Sequence, residues 1–291
     1  GLGDLGFEKI ISTDSDTGIV TTTTYSQDWQ NRTIGRPIEV IQTLATPSFG
    51  DVTLSHTLTQ YQTEQKNGTF FSYPSLSTTV KRDLTNTLTS VQSRENHFTL
   101  AGSQYDYVQD TSTVCVAESD PFMTSSPKGC ATLSGKVHQS TTNNSYYPLG
   151  YVANRPPLLK RQTTTAQVFS GALPYQAQQE TRTKEFDYTT LGLLKKETLE
   201  PDSTDLWLTS EYRYTAQGQV DTITINGGEN LQTRTSTNQY ETGSPYRLMS
   251  KTNALGQQER YQYADLRFPW LPTSVTSING VKTEFTYDSL G

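Results

Sequence analysis

Histidine, cysteine, methionine and charged residues are scarce in this chain of 291 residues. It contains three histidines, two cysteines and two methionines, and 18% of its residues are charged. The sequence carries no Gly-x-Ser-x-Gly nucleophile elbow, no phosphate-binding loop and no paired metal motif, which are the local signatures of common catalytic sites. We therefore predict that the chain is not an enzyme and binds no cofactor.

Basic character and long apolar runs are also missing. The net charge is −6 and the isoelectric point is about 5.2, whereas binding to phosphate backbones needs a basic stripe. No uninterrupted apolar run approaches the roughly 18 residues that span a bilayer. The sequence thus predicts neither a nucleic-acid partner nor a membrane span.

Threonine and tyrosine are abundant, with 48 and 17 residues respectively. β-branched and aromatic side chains fit pleated, half-buried surfaces better than helices. The small net charge does not favour disorder, which requires low hydrophobicity together with high net charge. We therefore predict an all-β fold, built as an array of antiparallel hairpins.

A tyrosine recurs at nearly constant spacing in the last third of the chain. The five positions, at intervals of 26, 26, 23 and 24 residues, are Tyr188, Tyr214, Tyr240, Tyr263 and Tyr287. The residues two positions earlier are Phe186, Tyr212, Asn238, Tyr261 and Phe285. A spacing of two places both members of a pair on one face of a strand. The tyrosines are therefore predicted to occupy equivalent places on successive hairpins.

Glycine follows three of these tyrosines four residues later, at Gly192, Gly218 and Gly291. This position suits a short hairpin loop whose last residue has a positive φ angle. The returning strands are predicted to begin at an apolar or proline position, namely Leu194, Val220, Leu248 and Pro272.

The N-terminus resembles a degenerate copy of the same unit, because residues 35–40 echo the sequence around Pro272. Residues 45–180 contain strand-like stretches for which the sequence fixes no register. We therefore predict a divergent β region over residues 1–183 and a regular repeat array over 184–291, with a break near residue 160 as the alternative boundary.

The repeat resembles that of a known family. Its last copy reads Phe285-Thr286-Tyr287-Asp288-Ser289-Leu290-Gly291 and is similar to the YD repeat of bacterial RHS proteins. Leu5-Gly6-Phe7, with the threonines before Tyr25, resembles the segment that precedes such repeats in RHS and insecticidal toxin-complex polypeptides. Of the five repeat tyrosines, Tyr287 alone is followed by aspartate.

This resemblance implies a strip of hairpins that spirals into a hollow shell and encloses a toxic segment. It also implies a bacterial protein that is secreted or displayed at the cell surface. The expected partners are the remainder of the same polypeptide and the enclosed segment. On this interpretation, the chain is a fragment of a longer protein, and the array continues beyond Gly291.

Two other groups of residues leave alternatives open. Cys115 and Cys130 could form a disulfide that restrains a surface loop, or they could be free thiols. Asp14 and Asp16 resemble the first half of a calcium loop, but the remaining ligands are missing, so an ordinary turn is favoured.

The histidines, His56, His97 and His138, are assigned to surface or packing roles.

A carbohydrate-binding or adhesive module is the alternative function, because aromatic side chains can stack on sugars. Outward-facing Trp29, Trp207 and Trp270 would favour this glycan-binding role. Inward-facing tyrosine and phenylalanine would favour the shell.

Overall fold

The computed structural model describes residues 6–101, 107–118, 126–153, 155–170, 179–228 and 231–291. Leu5 of the opening motif lies outside these ranges. Across them, the regular structure consists of β-strands and one turn of 3-10 helix, Cys130–Thr132. None of the helical structure found there is long and apolar enough to cross a bilayer. The predicted all-β class is confirmed.

The chain divides into two compact units. The first comprises Gly1–Tyr151 and Pro156–Arg182, and the second comprises Val152–Arg155 and Thr183–Gly291.

The first unit is an antiparallel meander in which each strand pairs with the next one in sequence. Its strands are β1 (Lys9–Thr13), β2 (Val20–Tyr25), β3 (Pro37–Thr46), β4 (Gly50–Lys66), β5 (Thr69–Arg82), β6 (Leu88–Leu100), β7 (Tyr107–Ala117), β8 (Lys136–Tyr146) and β9 (Leu159–Ser170). The strands from β3 onward have 10 to 17 residues. They are longer than typical strands of five or six residues.

Strand β10 (Glu180–Tyr188) begins at the last residues of the first unit and pairs with β11 in the second. The second unit continues as a meander of shorter strands. These are β11 (Leu194–Leu199), β12 (Leu208–Tyr214), β13 (Val220–Gly227), β14 (Arg234–Glu241), β15 (Ser244–Thr252), β16 (Gln258–Gln262), β17 (Ser274–Thr276) and β18 (Lys282–Glu284).

The threonines form hydrogen-bonded pairs across neighbouring strands. The hydroxyls of Thr57 and Thr79 lie 2.8 Å apart, and those of Thr142 and Thr164 lie 3.1 Å apart. Other pairs are Thr113 with Thr141 and Thr198 with Thr209. Such pairs satisfy the hydroxyls within the sheet and stabilise it modestly, by about 0.2–1 kcal/mol each. They explain why a sheet with few apolar residues is rich in threonine.

A cluster of buried apolar residues in the first unit lies on one face of strands β5–β8. Its members are Val80, Val91, Cys115, Ala117 and Val137. The strand register aligns Val80 with Val91, Val91 with Ala117, and Ala117 with Val137. Four neighbouring strands therefore contribute side chains to a single apolar row.

Candidate functional sites: the tyrosine repeat and the disulfide-bonded loop

Three repeat tyrosines lie in paired strands, and each of them stands where the register of its hairpin shifts. The pairs are Tyr188 with Leu194, Tyr214 with Val220, and Tyr240 with Leu248. In each case the register skips one residue of the returning strand: Lys195, Asp221 or Met249. These are β-bulges, in which two residues of one strand oppose one of the other. Tyr188, Tyr214 and Tyr240 thus occupy equivalent places.

The repeat tyrosines from Tyr214 onward make a repeated contact through their hydroxyl groups, which we call the tyrosine clasp. In the second unit the donors and carbonyl acceptors are Tyr214 to Leu194, Tyr240 to Val220, Tyr263 to Leu248, and Tyr287 to Pro272. The last three O···O distances are 3.1, 3.1 and 2.7 Å. The acceptors are the four apolar or proline positions identified in the sequence. Each clasp therefore joins a tyrosine to a carbonyl of the preceding hairpin.

The same clasp occurs in the first unit, whose strand register could not be predicted from the sequence. Tyr61 donates to the Pro37 carbonyl at 3.1 Å, and Tyr146 donates to the Gln109 carbonyl at 2.8 Å. Bulges accompany both tyrosines, and also Tyr25 and Phe98. The divergent region is therefore built from the same hairpin unit with longer strands.

Asparagine two residues before the aromatic position reinforces the clasp. The Asn238 side-chain amide donates to the Val220 carbonyl at 2.9 Å, the same oxygen that Tyr240 contacts. Asn144 likewise donates to the Gln109 carbonyl that Tyr146 contacts. Asn96, two residues before Phe98, donates to the Pro74 carbonyl at 3.0 Å. An Asn-x-aromatic pattern could therefore have located two units of the repeat in the middle of the chain.

The repeat glycines have left-handed backbone conformations. The φ angles of Gly192, Gly218 and Gly291 are +78°, +86° and +98°. In the first of these loops, the Gly192 amide donates to the Thr189 carbonyl and the Thr189 amide donates to the Leu193 carbonyl. This pattern is that of a type I turn followed by a glycine bulge, a common hairpin connection.

Replacing Gly192 with alanine should destabilise the second unit by about 1 kcal/mol, because a Cβ atom disfavours positive φ. Steric overlap should add little, since the nearest atom to an added Cβ is 3.5 Å away. Denaturant unfolding checks the value. Gly192→Asn serves as the matched control and should cost less than Gly192→Ala, because asparagine tolerates this conformation better. Equal stability of Gly192→Ala and the unsubstituted chain would contradict the expectation.

Burial raises the pKa of several tyrosines that form the tyrosine clasp above the ordinary value. Tyr61, Tyr146, Tyr214 and Tyr263 are affected in this way, with desolvation as the largest cause. The largest effect is at Tyr261, whose pKa rises to about 12 because of burial, and then because its hydroxyl donates to the Glu259 carboxylate at 2.5 Å. These side chains stay neutral at physiological pH and can act as hydrogen-bond donors.

Alkaline pH should therefore weaken the second unit. Tyrosine in the unfolded chain ionises near pH 10, whereas folded Tyr261 keeps its proton until about pH 12. The stabilisation is fully present below pH 10 and is lost as the pH rises from 10 towards 12, because the unfolded state loses its proton first. Urea unfolding between pH 8 and about 11 should show a smaller loss for Tyr261→Phe than for the unsubstituted chain. Parallel pH profiles of the two proteins would refute this assignment.

The second candidate site is a loop joined to the core by a disulfide. The Sγ atoms of Cys115 and Cys130 lie 2.10 Å apart, and their Cα atoms lie 5.6 Å apart. Cys115 is wholly buried on β7, and Cys130 begins the 3-10 turn. We call residues 126–135 the cap, because they pack against the buried face of β5–β8 through Cys130 and Leu133. The loop therefore covers apolar side chains and does not simply extend along the surface.

Polar side chains beneath the cap bind its backbone. The Thr78 hydroxyl donates to the Lys128 carbonyl at 2.8 Å and accepts from the Lys128 amide at 2.7 Å. The Ser93 hydroxyl donates to the same carbonyl at 2.6 Å, and the Glu95 carboxylate accepts from the Cys130 amide at 2.6 Å. Thr78 and Ser93 are wholly buried, so these bonds satisfy hydroxyl groups that the folded protein shields from water.

Two of the histidines contact carboxylates on neighbouring strands. His56 lies 2.8 Å from the Glu39 carboxylate, and His97 lies 2.7 Å from the Asp110 carboxylate. His138 lies on β8. In the part of the chain that the structure describes, no group of three or more His, Cys, Asp and Glu side chains could hold a metal ion. These contacts are consistent with surface and packing roles.

The calcium-like segment forms a turn. One Asp14 carboxylate oxygen accepts from the Asp16 amide at 2.9 Å and from the Thr17 amide at 3.0 Å. These backbone hydrogen bonds hold the pKa of Asp14 below its usual range. The carboxylate thus serves the turn itself.

The tryptophans differ in exposure. Trp29 is 46% exposed and Trp270 is 61% exposed, whereas Trp207 is half-buried.

A cleft of about 770 Å³ in the first unit is lined by Asp28, Asn31, Glu39 and Tyr61, among others. Several of its polar groups already bond within the protein: Asp28 to Asn31, Glu39 to His56, and Tyr61 to Pro37. Such internally satisfied groups offer a ligand little that a polar recognition site requires.

Comparison with family models finds no match, and neither does comparison with curated proteins. Solved structures do match. A crystal structure of TcdB2-TccC3 is similar over 94% of this chain, with a TM-score of 0.61 and 12% sequence identity. The Photorhabdus luminescens Tc holotoxin pore matches over 94% of this chain, with a TM-score of 0.62 and 12% identity.

The chain spans only 19% and 18% of these two solved chains. The match therefore concerns one stretch of much longer polypeptides. Over that stretch, this chain has the β-hairpin fold found in TcdB2-TccC3, which is the fold that its resemblance to RHS and toxin-complex polypeptides predicts.

Proposed function

We propose that this chain is a wall segment of a bacterial RHS-type shell that encloses a toxin or effector segment. The observation that carries this proposal is the structural similarity to TcdB2-TccC3 over 94% of the chain. Its main partner is the remainder of its own polypeptide, because the chain spans 19% of that relative. The intact protein is then exported, as a secreted or surface-bound toxin.

The repeated contacts support a wall. Each clasp of the second unit uses one tyrosine hydroxyl and one carbonyl of the preceding hairpin. A repeat protein stabilised by contacts between neighbours can extend over many units. A wall needs this repetition, whereas a recognition site needs a few convergent polar groups at one place.

Protease protection tests the proposal in the full-length polypeptide. The segment that follows the repeat array should resist a protease added to the folded protein. Replacing both Tyr240 and Tyr263 with alanine should open the wall and make that segment cleavable. The matched control, with phenylalanine at both positions, should retain more protection because it keeps the rings. Rapid cleavage of the segment in the unsubstituted polypeptide would reject enclosure.

Carbohydrate binding is the second candidate, favoured by the exposure of Trp29 and Trp270. A glycan array distinguishes the two functions. The wall predicts no binding at micromolar concentrations. Binding that is lost on Trp29→Ala or Trp270→Ala, with unchanged thermal stability, would favour the glycan-binding alternative.

A further inference from the structure

The cap is attached to the first unit by two kinds of contact with different chemistry. Four hydrogen bonds join Lys128 and Cys130 to side chains of β5 and β6. One covalent bond joins Cys130 to Cys115 on β7. The hydrogen bonds do not depend on redox conditions, whereas the covalent bond does.

We propose that the Cys115–Cys130 disulfide is a redox lock on the cap. While the bond is intact, the cap covers the apolar row of β5–β8. Once it is reduced, the cap opens from the sheet about a hundredfold more often, and the strands remain paired. This inference concerns the first unit alone and does not require that the chain form a shell.

The reductant is a dithiol, and the reaction is balanced. A thiolate of the dithiol attacks the Sγ atom of Cys130, which is partly buried. The disulfide bond breaks, and Cys115 departs as a thiolate that then takes a proton. The second thiol of the reductant releases Cys130 from the mixed disulfide. Two cysteine thiols form, and the dithiol becomes a cyclic disulfide.

Burial of Cys115 makes this reaction depend on opening of the cap. The departing thiolate forms in an apolar environment, where a charged sulfur is disfavoured. The native disulfide should therefore react slowly while the cap is in place and faster whenever the cap lifts. Such a bond persists in an oxidising compartment and is lost after entry into a reducing one.

The sheet can survive this change because the strand pairings do not involve the cap. Strand β6 pairs with β5 on one side and β7 on the other, and β7 pairs with β8. Removal of the cap takes Cys130 and Leu133 away from the cluster that contains Val80, Val91, Ala117 and Val137. Reduction therefore increases the exposure of this apolar surface without unfolding the strands.

Hydrogen exchange measured by mass spectrometry tests the lock on the whole chain, with and without a dithiol. Cleavage of the bond is verified by thiol alkylation. Amides of the cap, including those of Lys128 and Cys130, should exchange about a hundredfold faster after reduction, which is the factor expected from loss of a short cross-link. Amides of β5–β8 and of the second unit should keep their protection.

The variant Cys130→Ser gives the reduced state without a reductant and should reproduce the fast cap exchange in oxidising buffer. Thr57→Val is the control, since it alters a cross-strand hydroxyl pair outside the cap, keeps the disulfide and should retain a protected cap under the same conditions. If Cys130→Ser does not fold, the comparison of the unsubstituted chain with and without the dithiol still decides. Unchanged cap exchange after verified reduction would overturn the proposal, and so would loss of protection throughout β5–β8.

Discussion

Replacing Tyr214 with alanine should destabilise the hairpins around it by about 2–4 kcal/mol. The substitution removes the clasp to Leu194, worth about 1 kcal/mol, and the ring packing that the tyrosine contributes. Truncation of a fully buried aromatic residue costs about 3–5 kcal/mol, and Tyr214 is half-buried, so a smaller value applies. The local free energy of opening, from hydrogen exchange of β11–β13 amides, measures the effect.

Tyr214→Phe separates the two contributions, because it keeps the ring and removes the hydroxyl. It should cost about 1 kcal/mol. Strands β16–β18, which lie further along the array, should be affected less than β11–β13. A Tyr214→Ala variant as stable as Tyr214→Phe would show that the ring contributes nothing, contrary to our expectation.

Thr78→Val should destabilise the first unit by about 2–3 kcal/mol, although valine has nearly the shape of threonine. The Thr78 hydroxyl both donates to and accepts from the Lys128 backbone. After substitution the Lys128 amide loses its acceptor beneath the cap, and an unsatisfied buried donor costs about 1–3 kcal/mol. Urea unfolding of the first unit measures the loss.

Thr57→Val is the matched control. Its hydroxyl bonds to the hydroxyl of Thr79 on the neighbouring strand, and Thr79 is only half-buried, so its hydroxyl can bond to water instead. We expect a cost of 1 kcal/mol or less, in the range of ordinary cross-strand pairs. Similar losses for Thr78→Val and Thr57→Val would argue against a special role of the Lys128 contacts.

The hairpin array of the second unit was predictable because its period is short and regular. The spacing of Tyr188, Tyr214 and Tyr240 is constant, and each lies beside a bulge as the same element of its unit. The clasp itself could not be foreseen in detail. Its acceptors are backbone carbonyls, which every residue has, so the identities of Leu194 and Val220 do not reveal them.

The first unit was not predictable in register, for a physical reason. Its strands vary in length, so the positions equivalent to the tyrosine repeat fall at irregular intervals of 36, 37, 48 and 42 residues, at Tyr25, Tyr61, Phe98, Tyr146 and Tyr188. Strand length can vary at the far end of a hairpin without disturbing the bulge. Asparagine lies two residues before three of the aromatic positions of the chain. It therefore marks units of the repeat even where the spacing between them is irregular.

The contacts of the cap could not be predicted from the sequence for a different reason. Lys128 meets Thr78, which is 50 residues away, and Ser93, which is 35 residues away. Contacts over such separations depend on the fold of the whole sheet. The two cysteines suggested a restrained loop, but nothing in their spacing indicates which surface that loop covers.

The tyrosine clasp has a consequence for the inheritance of such proteins. Because each clasp involves a hairpin and the one before it, duplication or deletion of one complete repeat in the gene recreates the same donor and acceptor at the new junction. A deletion that ends within a repeat separates a donor from its carbonyl. Recombination should thus change the length of the array in whole repeats, and variants that differ by a fraction of a repeat should be eliminated by selection.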